Sequence, residues 1–95
     1  MIDRIVKNEE RLDNLLEIIK ELELSLEKFK SNKKNLYLLN KYYGSKNWFK
    51  DKEMHDKGLI KEKAGVLSED AVWNMNEEID NLIFEMKDVI SSFKR

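Results

Sequence analysis

Hydrophobic residues recur at alternating spacings of three and four along the first part of the chain. One heptad position holds Ile5, Leu12, Ile19 and Leu26, and the position three residues later holds Asn8, Leu15, Leu22 and Phe29. This spacing is typical of the seam of a coiled coil. The register continues through Leu36 and Tyr43, across residues 31–35, whose Ser and Asn have low helix propensity. The pattern favours one long helix over about 2–43, with a break within 31–35 as the alternative.

A second apolar stripe occupies the last part of the chain. It consists of Val72, Met75, Ile79, Leu82, Met86, Val89 and Phe93. Ser68 precedes the stripe as a hydroxyl N-cap, and the carboxylates of Glu69 and Asp70 would face the positive end of the helix dipole. The sequence therefore predicts a C-terminal helix over about 69–93.

The segment between the two stripes predicts a turn and a short helix. Gly44 tolerates the left-handed backbone conformation that follows the last turn of a helix. Ser45 is a suitable N-cap for a middle helix over about 46–57, which we expect to end at Gly58 before a connector.

The expected fold class is all-α, with residues 1–95 forming a single helical domain. We expect the two long helices to pack antiparallel as a coiled-coil-like hairpin. The last helix is too short to cover the whole first helix. The uncovered seam must meet the middle helix or a second subunit, so we expect a homo-oligomer, with a dimer favoured.

The composition removes several classes of function. The 95 residues include no Cys, no Pro and a single His, while 39% are charged. Without Cys there is no thiolate ligand or nucleophile, and His55 alone cannot supply a two-histidine metal site. The three glycines are too far apart for a phosphate-binding loop. We therefore expect no catalytic, cofactor-binding or metal site, and a protein that is not an enzyme.

Hydropathy also bears on location. No apolar run approaches the ~18–20 residues needed to span a bilayer. The first residues are charged and lack the apolar core of a signal peptide. We expect a cytoplasmic protein that does not bind membranes.

A basic stretch with interleaved aromatic residues covers residues 28–52. It contains eight lysines and one acidic residue, Asp51, together with Tyr37, Tyr42, Tyr43, Trp48 and Phe49. Lysines attract phosphates, and exposed aromatic rings stack on bases, so this stretch is a candidate nucleic-acid site. It lacks Arg, the usual reader of base edges. The alternatives are a site for an acidic protein or for the chain's own acidic last helix, and a plain solvated face.

Aromatic residues cluster where the first helix should end. Tyr42, Tyr43, Trp48 and Trp73 have the character of interface anchors, but a small core also uses such rings to lock a turn against a facing helix. We predict Tyr42, Tyr43, Lys46 and Trp48 as partner-binding residues.

Three other groups favour structural roles. His55 and Asp51 are one turn apart and make at most a weak metal site, so a simple helix pair is the better interpretation. Glu69 and Asp70 are explained by capping. An acidic cluster lacks the Glu-x-x-His pairs of a di-iron bundle and indicates a solvated face. This cluster consists of Glu9, Glu10, Asp13, Glu17 and Glu21.

Two motifs carry a family resemblance. They are Tyr-Tyr-Gly-Ser-x-x-Trp-x-x-Asp over residues 42–51 and Gly-Val-Leu-Ser-Glu-Asp over residues 65–70. Together with the leading heptad helix, they resemble the small bacterial family called domain of unknown function 4298, over essentially the full length. The connector before Gly65 departs from that pattern because it lacks Pro and a Leu-Lys-Arg-like run. The resemblance implies no activity and no catalytic residues.

These observations favour a non-enzymatic protein–protein interaction or adaptor module that acts by burying a helix face against a partner. The alternative is nucleic-acid binding through residues 28–52.

Overall fold

The computed structural model describes residues 2–93, and its regular elements are all helical. They are α1 (Ile2–Ser31), α2 (Lys33–Tyr42), α3 (Lys46–Asp56), a 3-10 helix (Gly65–Leu67) and α4 (Ala71–Ser92). Residues 2–93 contain no strand. The all-α fold class is confirmed, and the predicted helices agree with the observed ones to within two residues at their outer ends.

A single residue, Asn32, interrupts the predicted long helix. The Asn32 side chain and the Ser31 hydroxyl both donate to the carbonyl oxygen of Lys28, at 2.8 and 3.0 Å. These bonds compete with the regular backbone pattern, and the Asn32 backbone N–H bonds to Phe29 in a 3-10 geometry. The next helix then resumes at once, because the Asn32 carbonyl accepts from the N–H of Leu36 at 3.0 Å.

The backbone forms two compact units, of which the first ends at Tyr37 and the second begins at Leu38. In the first unit, α1 has no buried residue. The α1 seam is the set of heptad residues Ile5, Asn8, Leu12, Leu15, Ile19, Leu22, Leu26 and Phe29. Its seven apolar side chains are 47–64% exposed.

The second unit contains the core. Trp48 from α3, Leu67 from the 3-10 helix and Val72 from α4 are buried. The 3-10 helix contacts both α3 and α4, so it fills the space between them. Met75 and Ile79 extend this core along α4 as half-buried residues, whereas every residue from 80 to 93 is exposed.

Local chemistry explains the ends of α3. Ser45 caps its first turn, as predicted, by accepting a 3.2 Å hydrogen bond from the backbone N–H of Trp48. At the other end Gly58 has φ +73°. The N–H groups of Gly58 and Leu59 bond to the carbonyls of His55 and Met54 at 2.9 and 3.0 Å, which is a Schellman termination.

Inside the second unit, the end of α2 and the start of α4 run antiparallel. The side chain of Asn40 bonds to that of Asn76, and the Tyr43 hydroxyl bonds to the backbone of Glu69. The later residue of the first segment thus meets the earlier residue of the second, which is the order of an antiparallel pair. The predicted packing of the rest of the long N-terminal segment as a hairpin stays a prediction.

Candidate functional site

The aromatic motif forms a turn between α2 and α3. Gly44 has φ +78°, a conformation that residues with a Cβ rarely adopt, and it separates the two helices. The turn brings the last residues of α2 against the first turns of α3. We call Tyr42, Tyr43, Trp48 and Asp51, with the connector 65–69 that they meet, the corner.

Tyr42 and Asp51 join the two helices of the corner. The Tyr42 hydroxyl donates a 2.6 Å hydrogen bond to Oδ2 of Asp51. This hydrogen bond raises the pKa of Tyr42 to about 12, and partial burial and the negative charge of Asp51 act in the same direction. The phenol therefore remains a donor well into the alkaline range.

Trp48 anchors the connector. Its side chain is 5% exposed, and its indole N–H donates a 2.9 Å hydrogen bond to the carbonyl oxygen of Val66. The ring meets Tyr43 and Phe49 edge to face, with centroid separations of 5.3 and 4.9 Å. The side chain of Trp48 thus belongs to the core.

Tyr43 makes the third link between the motifs. Its hydroxyl donates a 2.6 Å hydrogen bond to the backbone carbonyl of Glu69. Nearby, the Ser68 hydroxyl accepts from the N–H of Ala71, the first residue of α4, at 3.1 Å. The N-cap position itself is Asp70 rather than the predicted Ser68, and the Asp70 side chain makes no capping bond. The contact of Tyr43 thus lies immediately beside the start of α4.

An amide pair beside the corner was not predicted from the sequence. Asn76 donates to the side-chain oxygen of Asn40 at 2.8 Å, and Asn40 donates in return at 3.3 Å. Asn76 also donates to the carbonyl of Val72 at 3.1 Å. The sequence feature that could have indicated this pair is Asn40, a polar residue at a heptad core position, where its amide needs a hydrogen-bonding partner.

The other candidate residues lie apart from this network. Lys46 is exposed at the first position of α3, and Trp73 is exposed on α4. Nδ1 of His55 lies 3.8 Å from Oδ1 of Asp56. Asp51 instead accepts the hydrogen bond of the Tyr42 hydroxyl. Within residues 2–93, no group of three or more His, Asp or Glu side chains is placed to hold a metal ion.

The surface of the described residues offers shallow depressions. One is lined by Asp3, Arg4, Lys7 and Arg11 of α1, and another by Glu78, Asn81, Leu82 and Glu85 of α4. Each is lined by a single helix and lies outside the corner. None of the helices within residues 2–93 has an apolar stretch long enough to cross a bilayer.

The corner joins the same two motifs that carry the family resemblance. A family model for a domain of unknown function, DUF4298, matches residues 5–89. The chain belongs to the DUF4298 family. The resemblance inferred from the two motifs is thereby confirmed, and in this DUF4298 chain the motifs meet through Trp48 and Tyr43. The chain matches no curated protein and no solved structure.

The geometry separates two kinds of surface. In the corner, the polar groups of Tyr42, Tyr43 and Trp48 form hydrogen bonds within the chain, and these bonds stabilise the turn. The predicted partner-binding role of Tyr42, Tyr43, Lys46 and Trp48 stays a prediction. The α1 seam, by contrast, presents apolar side chains to solvent.

Proposed function

We propose that this DUF4298 protein is a non-enzymatic protein–protein interaction module and that the α1 seam is its docking surface. The observation that supports this most directly is the exposure of all seven apolar seam residues on one helix. Single exposed apolar residues are ordinary, but a continuous apolar stripe marks an interaction surface. From Ile5 to Phe29 the stripe extends ~36 Å, enough for several turns of a facing helix.

The polar side chains of α1 are consistent with this role. Glu10 and Glu17 occupy the heptad position opposite the seam, where a docked helix would leave them in water. A long helix gains most of its stability from packing of its apolar face. A facing helix would supply that packing.

Nucleic-acid binding through residues 28–52 is the less favoured alternative. Stacking on bases needs exposed aromatic faces, and Trp48 is buried while the hydroxyls of Tyr42 and Tyr43 bond within the chain. Phe29, Tyr37 and Phe49 are the exposed aromatic residues of the stretch, and Phe29 belongs to the α1 seam. The lysines then have a simpler role as a solvated surface.

Two neighbouring leucines provide a matched test. Leu22 belongs to the seam and is 64% exposed, whereas Leu24 lies outside it and is 57% exposed. The same substitution, Leu22→Gln or Leu24→Gln, removes similar apolar area from the same helix. Only Leu22→Gln should weaken association with the partner, by roughly tenfold or more. The reason is that a partner docked on the α1 seam would bury Leu22 but not Leu24.

The measurement is capture from the native lysate, run in parallel without and with nuclease treatment, with the full chain and both variants as bait. We expect a stoichiometric protein, either a second copy or another chain, that Leu24→Gln retains and Leu22→Gln loses. Equal retention by both variants would contradict the proposal. An eluate dominated by nuclease-sensitive material would instead establish the nucleic-acid alternative. Circular dichroism confirms that both variants keep their helix content.

A further inference from the structure

Resting on the proposed function, we infer that the partner on the α1 seam is a second copy of this chain, aligned parallel and in register. The two α1 helices would form a two-stranded coiled coil. Three features of α1 point to this occupant: a polar residue within the seam, the charges beside the seam, and the shapes of the apolar residues.

The first feature is Asn8, the one polar residue of the α1 seam. Its amide N–H₂ donates to the carbonyl of Arg4 at 2.7 Å, and its oxygen accepts from Arg11 at 3.1 Å. An amide has two N–H groups and two acceptor lone pairs, so each Asn8 keeps one of each for a further bond. In a parallel, in-register pair the two Asn8 side chains face each other and can form that bond. Any register that places Asn8 opposite an apolar residue leaves these groups unpaired, so the amide favours the in-register pair.

The second feature is the charge beside the seam. In a parallel pair, each residue before the first heptad position faces the residue five places further along the other chain. Arg4 then faces Glu9 of the second copy, twice by symmetry. Further along the helix, Arg11 faces Leu16, Ile18 faces Glu23 and Ser25 faces Lys30, so this register places no like charges opposite each other.

The antiparallel arrangement of two copies is less compatible with the same residues. When the two stripes overlap fully, Asn8 faces Leu26 of the second copy, which offers its amide no partner. Glu9 then faces Glu23, again twice by symmetry, and like charges in such positions repel. Parallel alignment avoids both problems.

The third feature is the shape of the apolar residues. Two of the four residues at the first heptad position, Ile5 and Ile19, are β-branched, the other two being Leu12 and Leu26, while Leu15 and Leu22 occupy the fourth position. In parallel coiled coils, β-branched residues at the first position with Leu at the fourth favour two strands. A dimer is therefore the expected assembly.

Disulfide cross-linking of the full chain tests orientation and register together, because the natural sequence contains no Cys. Ile5→Cys and Leu26→Cys place one thiol near either end of the seam. Leu24→Cys, outside the seam, is the matched control. The rate of covalent dimer formation under mild oxidation is read on non-reducing gels, and sedimentation equilibrium gives the mass of the unmodified chain.

We expect a dimeric mass and self-cross-linking of both Ile5→Cys and Leu26→Cys, about tenfold or more faster than Leu24→Cys, because facing thiols have a high effective concentration. A monomeric mass, or equal rates for all three variants, overturns the inference. Slow self-cross-linking of Ile5→Cys, with rapid mixed cross-linking of Ile5→Cys to Phe29→Cys, overturns it in favour of an antiparallel pair.

The outcome remains distinguishable from failure of the proposed function. Suppose that the unmodified chain is monomeric but captures another protein, and that Leu22→Gln does not capture it. The proposed interaction function is then supported, and the inference that the partner is a second copy is refuted. If neither self-association nor capture depends on the α1 seam, both proposals fail.

Discussion

The indole N–H of Trp48 donates to the carbonyl oxygen of Val66, eighteen residues further along the chain, at 2.9 Å. This bond joins the motif at residues 42–51 to the motif at residues 65–70. Trp48 is buried and Val66 is half-buried, so the bond is partly shielded from water. The bond thus joins the turn that begins α3 to the connector that precedes α4.

Trp48→Phe should destabilise the second unit by about 1–3 kcal/mol, because the Val66 carbonyl loses its donor while most of the apolar packing remains. Trp48→Ala should cost about 3–5 kcal/mol, since it also removes the ring from the core. The midpoint of urea unfolding, followed by circular dichroism, measures both effects.

Trp73→Phe is the matched control for that experiment. Trp73 is 60% exposed, so its replacement should change the free energy of unfolding by no more than about 0.5 kcal/mol. Equal effects of the Phe substitution at Trp48 and at Trp73 would show that the bond to Val66 does not stabilise the turn.

The hydrogen bond from Tyr42 to Asp51 predicts a specific loss of stability at alkaline pH. The pKa of Tyr42 is raised from 10.0 to about 12 in the folded chain. A raised folded-state pKa means that the protonated phenol is favoured by folding. The contribution of the Tyr42 hydroxyl to the free energy of unfolding is therefore complete below pH 10 and is lost as the pH rises through 12.

Comparison with Tyr42→Phe isolates this effect, because the two chains differ only in the Tyr42 hydroxyl. The difference in free energy of unfolding between the natural chain and Tyr42→Phe should be constant below pH 10 and should shrink above it. A difference that does not change between pH 10 and 12 would assign the stabilisation to packing of the ring. Tyr37→Phe, at an exposed position, should show no such difference.

Much of the fold could be predicted from the sequence because local chemistry determines it. Gly44 and Gly58 end helices through positive φ, and the hydroxyls of Ser45 and Ser68 accept from backbone N–H groups at the starts of α3 and α4. Such effects act within one turn, so the residue type at one position is sufficient evidence.

The links within the corner could not be predicted in the same way. Which carbonyl Trp48 meets, and that Asn40 meets Asn76, depends on how residues far apart in the sequence are brought together. The aromatic motif left an interface role and a core role open for Trp48, and Trp48 was predicted as a partner-binding residue. The structure gives it a core.

The interruption at Asn32 illustrates a local effect that propensity alone describes incompletely. Low propensity made a break plausible, but the continuous heptad favoured an unbroken helix. The decisive contact is the competition of two side chains for the Lys28 carbonyl, which depends on their rotamers.

Asn32→Ala should therefore join α1 and α2 into one continuous helix. Alanine removes the competing amide and has the higher helix propensity, so we expect a stabilisation of about 0.5 kcal/mol. Slower amide hydrogen exchange at residues 32–36 is the direct measurement. Asn14→Ala, within the regular part of α1, should leave exchange at residues 32–36 unchanged.

The contact expected between Arg4 and Glu9 of a second copy predicts selective pairing of charge variants. In a parallel pair, Arg4→Glu places two acidic residues opposite each other, and Glu9→Lys places two basic residues opposite each other. A mixed pair of the two variants has opposite charges at both contacts. Exposed ion pairs contribute about 0.2–1 kcal/mol each, so the mixed pair should exceed the statistical proportion by several-fold at low salt and approach it at high salt.

Native mass spectrometry of the mixture measures these proportions. Glu10→Lys, which changes a charge opposite the α1 seam, should mix statistically with the natural chain. The sign of one result separates the two orientations: in an antiparallel pair Glu9 faces Glu23, so Glu9→Lys would relieve a repulsion and tighten its own homodimer. A weaker homodimer of Glu9→Lys, rescued by mixing with Arg4→Glu, is expected only if the two α1 helices run parallel.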